Sequence, residues 1–569
     1  MKKSTLLLIL VLFVSSFTWA QKTVTGVVKD FDGNTLPGVN IVIKGTTQGT
    51  ISDIQGQYSI KVPGNDAILV FSSISYMTEE VPVGDKTEIN VTLMNDIEAL
   101  SEVVVVGYGV QKKSLVTGAI SKVNAEDLET QQVRVEQALQ GKTAGVHIMQ
   151  ESGSPGGGIT MRIRGTSSNR DSNPLFIVDG MRTGSIEYLN PNDIESIEIL
   201  KDGASAAIYG SAAGNGVVLI TTKSGKKGES KINYNGSIGI QSARKVNDVL
   251  NAKQYANYYR EGLRHQIEMQ YFGQEIPEQL MQMQLDNAYP FNPDTLGQGT
   301  DWIKEIFTPA QIQEHNISIS GGNDKSNYFF STSFLSQGGI VGGDKSTFDR
   351  VTTRLNADHQ IKDWLKIGTK VSYTHFERKS IGENNEFGGI ISNAMNIDPL
   401  TPLYFADSTE IPSSYWDQIT ANIDDPENSA LTAGENGYYG MSTLVKNEVA
   451  NPVAQIANSH NNWYTDKVLG KVDLTLTPIE GLTVKTSYDI DMSYGNYIAW
   501  TPQYFYQSIL YNYLSSTYQQ IQRSYSWQWE NVVTYDRTFG DHEFSGMLGH
   551  SMRNEDFYYI GGRGEVLLE

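Results

Sequence analysis

From Lys231 onward the chain repeats one pattern, strands of about ten residues in which apolar and polar side chains alternate. Val468, Gly470, Val472, Leu474 and Leu476 share one face, and Lys467, Lys471, Asp473 and Thr475 share the other. Beyond Pro478 and Gly481, Leu482, Val484, Thr486, Tyr488 and Ile490 oppose Thr483, Lys485, Ser487 and Asp489. Val351, Thr353, Leu355 and Ala357 repeat the pattern, as do Leu365, Ile367, Thr369, Val371 and Tyr373. Successive side chains of a strand point to opposite faces, so each strand carries one apolar and one charged side. A lipid-facing barrel requires this, although a water-soluble sandwich alternates too. The connections separate the two. Nine strands are visible, with short turns near Gly321–Ser326, His359–Asp363, Pro478–Gly481 and Arg537–Asp541. The intervening links include the much longer Gln241–Gln313 and Glu377–Thr465. Read as a strict alternation of short and longer connections, this puts every short turn at one end. Outer-membrane barrels have that asymmetry, and the pattern predicts an up-and-down transmembrane β-barrel over residues 229–569.

The start of the chain agrees with export. Lys2 and Lys3 precede nine consecutive apolar residues, Leu6 to Val14, and Thr18-Trp19-Ala20 offers small residues for a signal peptidase. Residues 1–20 therefore read as a signal peptide cleaved before Gln21. Nine apolar residues are too few to cross about 30 Å of hydrocarbon, and no later stretch approaches a transmembrane helix. There is no cysteine, which removes disulfides, thiolate metal sites, thiol catalysis and an N-terminal lipid anchor. With 44 basic against 64 acidic residues the net charge is −20, so a polyphosphate backbone is repelled and nucleic-acid binding is disfavoured. Abundant Gly (54) and Tyr (30), with only 19% charged residues, suit β-structure with polar turns.

Between leader and barrel lie three regions. Residues 21–95 read as a small sandwich of about seven strands. Its strands are Thr23–Lys29, Val39–Lys44, Gly56–Val62, Ala67–Ser72 and Thr87–Leu93, punctuated by Pro37-Gly38 and Pro63-Gly64. Asp30, Asp32 and Asn34 suggest a calcium loop, but the sixth and twelfth loop positions hold Thr35 and Ile41 instead of Gly and Glu, so a hairpin turn is the better reading. Residues 96–113 carry four valines, Val103 to Val106, between an acidic and a basic flank and with no hairpin partner in view. Such a tract is either the last strand of the sandwich or a strand offered to another protein's sheet edge. Gly107 and Gly109 are no dinucleotide fingerprint, because Lys112 takes the third glycine position. Residues 114–228 form a mixed α/β unit: a short helix over Val133–Leu139, strands at Ile159–Arg164 and Leu175–Val178, an imperfectly alternating strand at Ile194–Leu200, and a buried strand at Gly216–Thr222. Gly141-Lys142-Thr143 lacks the opening glycine of a phosphate loop.

No catalytic constellation is present. The eight histidines include no pair at helical i, i+4 spacing, and neither an HExxH nor a G-x-S-x-G motif occurs. The chain reads as a non-enzyme without metal or cofactor. Aromatics crowd Tyr494 to Tyr535. Trp527 and Trp529, on a strand, read as part of an interfacial girdle. Tyr504, Phe505, Tyr506, Tyr511 and Tyr513, in a loop, suit either stacking on a ligand or loop packing.

Residues 96–225 resemble the TonB-dependent outer-membrane transporters of the SusC/RagA family. Ser101-Glu102-Val103-Val104-Val105-Val106-Gly107-Tyr108-Gly109 is similar to the family's TonB-box region. Ile159-Thr160-Met161-Arg162-Ile163-Arg164-Gly165 and Pro174-Leu175-Phe176-Ile177-Val178-Asp179-Gly180 are similar to its plug motifs. The most specific run is Ile194 to Gly210, containing Glu195, Glu198, Lys201, Asp202, Tyr209 and Gly210, and it continues from Ala213 to Lys223. Near residue 212 this chain has Ser211-Ala212-Ala213-Gly214 where the family usually has Arg before an Ala pair. Residues 21–95 resemble the carboxypeptidase-regulatory-like sandwich that precedes the plug in this family, and 229–569 match in style only. The resemblance implies that TonB docks on Glu102–Tyr108 from the periplasm and remodels the plug, and that a SusD-like surface lipoprotein captures an oligosaccharide or oligopeptide. Siderophore or cobalamin uptake on the same architecture, or a non-transporting surface binding protein, are the other readings. Arg162, Arg164, Glu195 and Glu198 become candidate plug–wall contacts, with ordinary structural ion pairs as the alternative. Nine strands cannot close the family's barrel of about 22, since an open edge in lipid leaves unpaired backbone groups. The chain also ends at Glu569 without a terminal aromatic. The expectation is a sequence with sandwich and plug whole and less than half of a barrel.

Overall fold

The computed structural model describes residues 22–30, 33–46, 48–73, 76, 78–93, 103–106, 109–112, 120–128, 133–166, 172–383, 388–426, 431–445, 448–540 and 542–565. The expected signal peptide and Glu102, Gly107 and Tyr108 lie outside the described residues. The chain divides into two compact units, Met1–Thr117 and Gly118–Glu569.

In the first unit, alternation builds a sandwich. β1 (Lys22–Asp30) buries Val24, Gly26 and Val28 and turns Thr25 and Lys29 outward, and β4 (Gln57–Val62) buries Tyr58, Ile60 and Val62. With β7 (Val91–Leu93) they form a sheet in the order β4-β1-β7. The facing sheet orders β3 (Gly49–Ile51), β2 (Asn40–Ile43), β5 (Ile68–Ser72) and β6 (Glu79–Pro82) as β3-β2-β5-β6. Val24, Ile41, Leu69, Phe71 and Leu93 fill the core between the two sheets. Burial pushes the Tyr58 hydroxyl up to about 12, and it donates to the Ile89 carbonyl at 2.8 Å. Gly26 is required by close approach, because a Cβ there would lie 1.8 Å from the Ile89 oxygen. Asn34 donates its backbone N–H and side-chain amide to the Asp30 carboxylate at 2.7 and 3.0 Å, so Asp30 closes a turn.

The valine tract belongs to neither sheet. β8 (Val103–Val106) pairs antiparallel with β9 (Gly109–Lys112), so the expectation that it lacks a hairpin partner is corrected. The partner is a weak strand former, with Gly109, Gln111 and Lys112 among its four residues, and periodicity alone does not reveal it.

In the second unit, β10 (Ile120–Asn124), β13 (Leu175–Val178), β14 (Met181–Thr183), β15 (Ile194–Leu200) and β16 (Val217–Thr222) form a sheet in the order β10-β15-β16-β13-β14. The β13–β16 pairing is parallel and the others are antiparallel. A separate hairpin joins β11 (Val146–Gln150) to β12 (Ile159–Ile163), and the expected helix covers Val135–Leu139. β13 is buried at all four positions and β16 at five of six, as a central parallel pair requires.

Nine long strands follow as a meander: β17 (Gly228–Gln241), β18 (Ala310–Gly322), β19 (Ser326–Gly339), β20 (Gly343–Lys362), β21 (Leu365–Lys379), β24 (His460–Ile479), β25 (Leu482–Thr501), β28 (Ser516–Phe539) and β29 (His542–Glu565). Two small hairpins, β22 (Tyr404–Phe405) with β23 (Tyr438–Tyr439) and β26 (Tyr504–Gln507) with β27 (Leu510–Asn512), lie in the long connections. All pairings in the nine-stranded sheet are antiparallel between sequence neighbours, and it is open among the described residues. The four short turns fall where the sequence puts them. The strict alternation does not hold. The β19–β20 link, residues 340–342, is as short as the β18–β19 turn and lies at the opposite end. Gly342 and Gly343 adopt positive φ (85° and 52°) and let the chain reverse there, while Val341 is buried among Trp302, Ile306 and Ile390 of the loops above. The two longest connections are folded. Helices Ala252–Gln270, Glu278–Ala288 and Trp302–Ile306 occupy the first, and Ile390–Asn396, Ser413–Asn422 and Pro452–Ala457 the second.

Candidate functional site

The plug sheet rests on the polar face of the nine-stranded sheet, and two turn residues start the contact. Val178 pairs with Met181, so Asp179 and Gly180 form a two-residue hairpin turn, with φ of 54° and 86°. Asp-Gly is the favoured sequence for that turn. Its geometry buries the Asp179 carboxylate completely, where it accepts from the Thr222 N–H (3.1 Å), the Thr222 hydroxyl (2.6 Å) and the Lys370 ammonium of β21 (2.7 Å). Arg354 of β20 lies between two plug carboxylates, 3.7 Å from Asp179 and 3.6 Å from Asp193. Burial alone raises the Asp179 carboxyl, but Lys370, Arg354 and the hydrogen bonds outweigh it and hold it below its usual range. For Asp193 burial wins over Arg354, and its carboxyl is raised.

Around this charge cluster the wall grips plug backbone. Arg350 donates to the carbonyls of Glu187 (2.8 Å) and Val133 (3.2 Å), Thr374 to that of Tyr188 (3.3 Å), and Asn356 to that of Lys223 (2.7 Å). Arg378 reaches the Gly156 carbonyl at 3.1 Å, and Glu383, entering the second long loop, bonds Ser154. Gly156 also lies flat against Phe348, which a Cβ would strike at 2.4 Å. Apolar contacts complete the seat. Leu469 of β24, on the polar face, joins the plug core beside Tyr188 and Ile197, and Lys467 stands 4.8 Å over the Tyr188 ring. The opposite face of the sheet is apolar and exposed: Val371, Tyr373, Val472, Leu474, Tyr488 and Trp529 all point away from the plug.

Of the plug-motif residues, the structure brings Asp179 and Gly180 to the wall. Arg162 donates to Asn173 at 2.7 Å within the plug, and Lys201 to the Ala144 carbonyl at 2.6 Å. Burial lowers the Lys201 ammonium, with Arg164 adding to the effect. Arg164 (φ 55°) and Gly165 (φ 95°) turn the chain after β12. Glu198 is buried on β15 and accepts from Ser196 at 2.9 Å, and burial raises its carboxyl. Glu195 pairs with Lys226 at 3.5 Å. Asp202 caps the turn at Ser205 (2.8 Å), and Tyr209 stands beside a kink at Gly210 (φ 68°, ψ −156°). Sequence reasoning assigned no role to Arg350, Arg354, Asn356 or Lys370. The available signal was polar and charged residues at alternate positions of two strands, β20 opposite Val351, Thr353, Leu355 and Ala357, and β21 opposite Ile367, Thr369, Val371 and Tyr373.

The loop aromatics divide. Phe505 is buried among Tyr415, Ile419 and Met441, and Tyr506 accepts from Asn458 at 3.1 Å, so both pack the loop. Tyr511 stacks on Tyr513 at 4.3 Å and stays exposed. Trp527 stacks on Tyr488 at 6.1 Å, and Trp529 bonds Thr486 at 3.1 Å, both on the outward face. Among the described residues, no group of three or more His, Asp or Glu could hold a metal ion, and no helix is long and apolar enough to cross a membrane.

Comparison with known proteins gives this arrangement its family. Residues 112–217 match the TonB-dependent Receptor Plug Domain, and residues 24–105 match the CarboxypepD_reg-like domain. The TonB-dependent receptor SusC of Bacteroides thetaiotaomicron is 31% identical over 568 residues, which cover 96% of this chain and 52% of that protein. Over most of its length the chain is thus similar to SusC-like TonB-dependent receptors, and it carries their plug domain. A TonB-dependent receptor of Formosa agariphila is 31% identical over 566 residues, covering 98% of this chain and 49% of its own length. Among solved structures, the RagAB peptide importer in its open-open state matches with a TM-score of 0.63 and 26% identity, over 82% of this chain and 50% of that one. The chain spans about half the length of the curated relatives it matches.

Proposed function

We propose that this receptor takes part in energised uptake of a large nutrient, an oligosaccharide or oligopeptide, across the outer membrane of a Gram-negative cell. The observation that carries the reading is the two-sided sheet, apolar outward and polar inward, with a plug seated on the polar side. In lipid an outward apolar face is required, and a plug held by ion pairs and backbone bonds closes the path until it is moved. Val103–Val106, with Glu102, Gly107 and Tyr108 beside them, serve as the docking strand for TonB, and the sandwich lies in the periplasm. A SusD-like surface lipoprotein captures the substrate at the outer loops. The peptide-importing RagAB neighbour supports the oligopeptide half of the substrate pair, and the SusC relatives support the same architecture. No catalytic role is assigned.

Deleting Ser101–Gly109 tests the reading. Surface expression should persist while uptake of oligosaccharides or peptides is lost. Uptake at the unmodified level would overturn it, and growth on siderophore-bound iron as the affected phenotype would move the substrate to a metal chelate.

A further inference from the structure

The valine tract is already paired. Val103 lies opposite Lys112, Val104 opposite Gln111, Val105 opposite Val110 and Val106 opposite Gly109, and no other strand joins this hairpin among the described residues. We propose that β9 is a resident stand-in for the partner's strand: the tract is masked while the hairpin is closed, and an energy-coupling partner that binds by strand addition docks by displacing β9. This rests on the reading of β8 as the docking strand.

Three features of the hairpin support displacement. Residues of an antiparallel pair alternate between those whose N–H and C=O face the partner strand and those whose groups face away. With a two-residue link, Val106 and Val104 spend their groups on β9, and a closed β8 offers only Val103 and Val105 at its outer edge. Opening frees both edges. Second, an isolated two-stranded hairpin is marginal in water. It is therefore a weak competitor, and if it is closed nine-tenths of the time the apparent affinity falls about tenfold. Third, the order along the chain is β8, β9, plug. A pull on β8 reaches the plug only through β9. Val103 and Lys112 sit side by side at the open end, so an incoming strand can displace β9 one residue pair at a time from there. Displacing β9 frees the six residues 107–112 between the docked strand and the plug, about 20 Å of chain at ~3.3–3.6 Å per residue, before β10 bears load.

The chain has no cysteine, so Val105→Cys with Val110→Cys introduces the one disulfide it can form. The full chain is purified in detergent, and its affinity for the periplasmic domain of TonB is measured oxidised and reduced. The oxidised form should bind at least tenfold more weakly than the reduced form. Equal affinity in the two states overturns the proposal. Val103→Cys with Lys112→Cys repeats the comparison without altering the middle of the tract. Gln111→Pro removes an N–H that β9 donates to β8 and leaves β8 intact, so binding should tighten about two- to tenfold. Unchanged or weaker binding contradicts masking. The deletion of Ser101–Gly109 separates the two levels: if it still binds, the docking strand lies elsewhere and the parent reading falls, whatever the disulfide does.

Discussion

Asp179→Asn isolates the charge at the plug–wall contact. Asn tolerates the left-handed backbone of the turn, and its carbonyl can still accept from Thr222, so backbone and shape are retained. What disappears is the negative charge 2.7 Å from Lys370 and 3.7 Å from Arg354. Removing one partner of a buried ion pair costs about 3–5 kcal/mol. The lower end applies, because the Lys370 side chain keeps 25% exposure and rehydrates, and Arg354 retains Asp193. About 3 kcal/mol is roughly a 150-fold change in an equilibrium constant. Hydrogen exchange of the Val218–Thr222 amides, measured at pH 7 in the purified protein, should accelerate by about two orders of magnitude in the variant. Exchange within about threefold of the unmodified protein would refute the assignment of the cluster as a plug anchor. The sign with pH is fixed. The folded Asp179 carboxyl lies below its ordinary value, so its stabilisation is full above about pH 4 and is lost as pH falls through the folded value. The difference between protein and variant should close in acid.

Glu198 predicts the opposite trend. Its folded carboxyl is raised above 4.5, so it destabilises the plug increasingly as pH rises through the folded value, and Glu198→Gln should gain exchange protection at pH 8 relative to pH 5. Leu469→Ala should cost about 2–5 kcal/mol and speed proteolysis of the plug while the long strands stay protected, because this strand residue fills the plug core. Gly26→Ala should destabilise the sandwich by about 3 kcal/mol, read as faster exchange in β1 and β4, since its methyl would enter the Ile89 carbonyl. Val472→Arg, on the outward face, should reduce membrane assembly by about 2–4 kcal/mol, whereas Asp473→Asn on the polar face should assemble normally by heat-modifiable gel mobility.

The long strands were legible because alternation over ten or more residues has no competing explanation, and the four tight turns came with them. The plug motifs located β12, β13, β15 and β16. The edge strands β10 and β14, and β11 of the small hairpin, were missed because they are only three to five residues long and carry polar side chains. The anchor was half legible. Asp179 and Gly180 sit in a recognisable turn, but their partners Arg354 and Lys370 are 175 and 191 residues away, and register decides which charges meet. Leu469 shows the same limit: on a face otherwise read as Lys467, Lys471 and Asp473, only the plug's position explains a buried leucine. The link at 340–342 broke the predicted alternation through two consecutive glycines whose effect depends on the loop core above them.

The most direct test is a cysteine scan of residues 467–474 of β24, each position a single cysteine in an otherwise cysteine-free chain assembled in outer membrane. Fluorophores at 468, 472 and 474 should be quenched by lipid-borne quenchers, and those at 467, 471 and 473 should be quenched only weakly. Uniform quenching by water-soluble agents, or lipid contact at 467 and 471, would contradict a plug seated on the inner face of a membrane sheet.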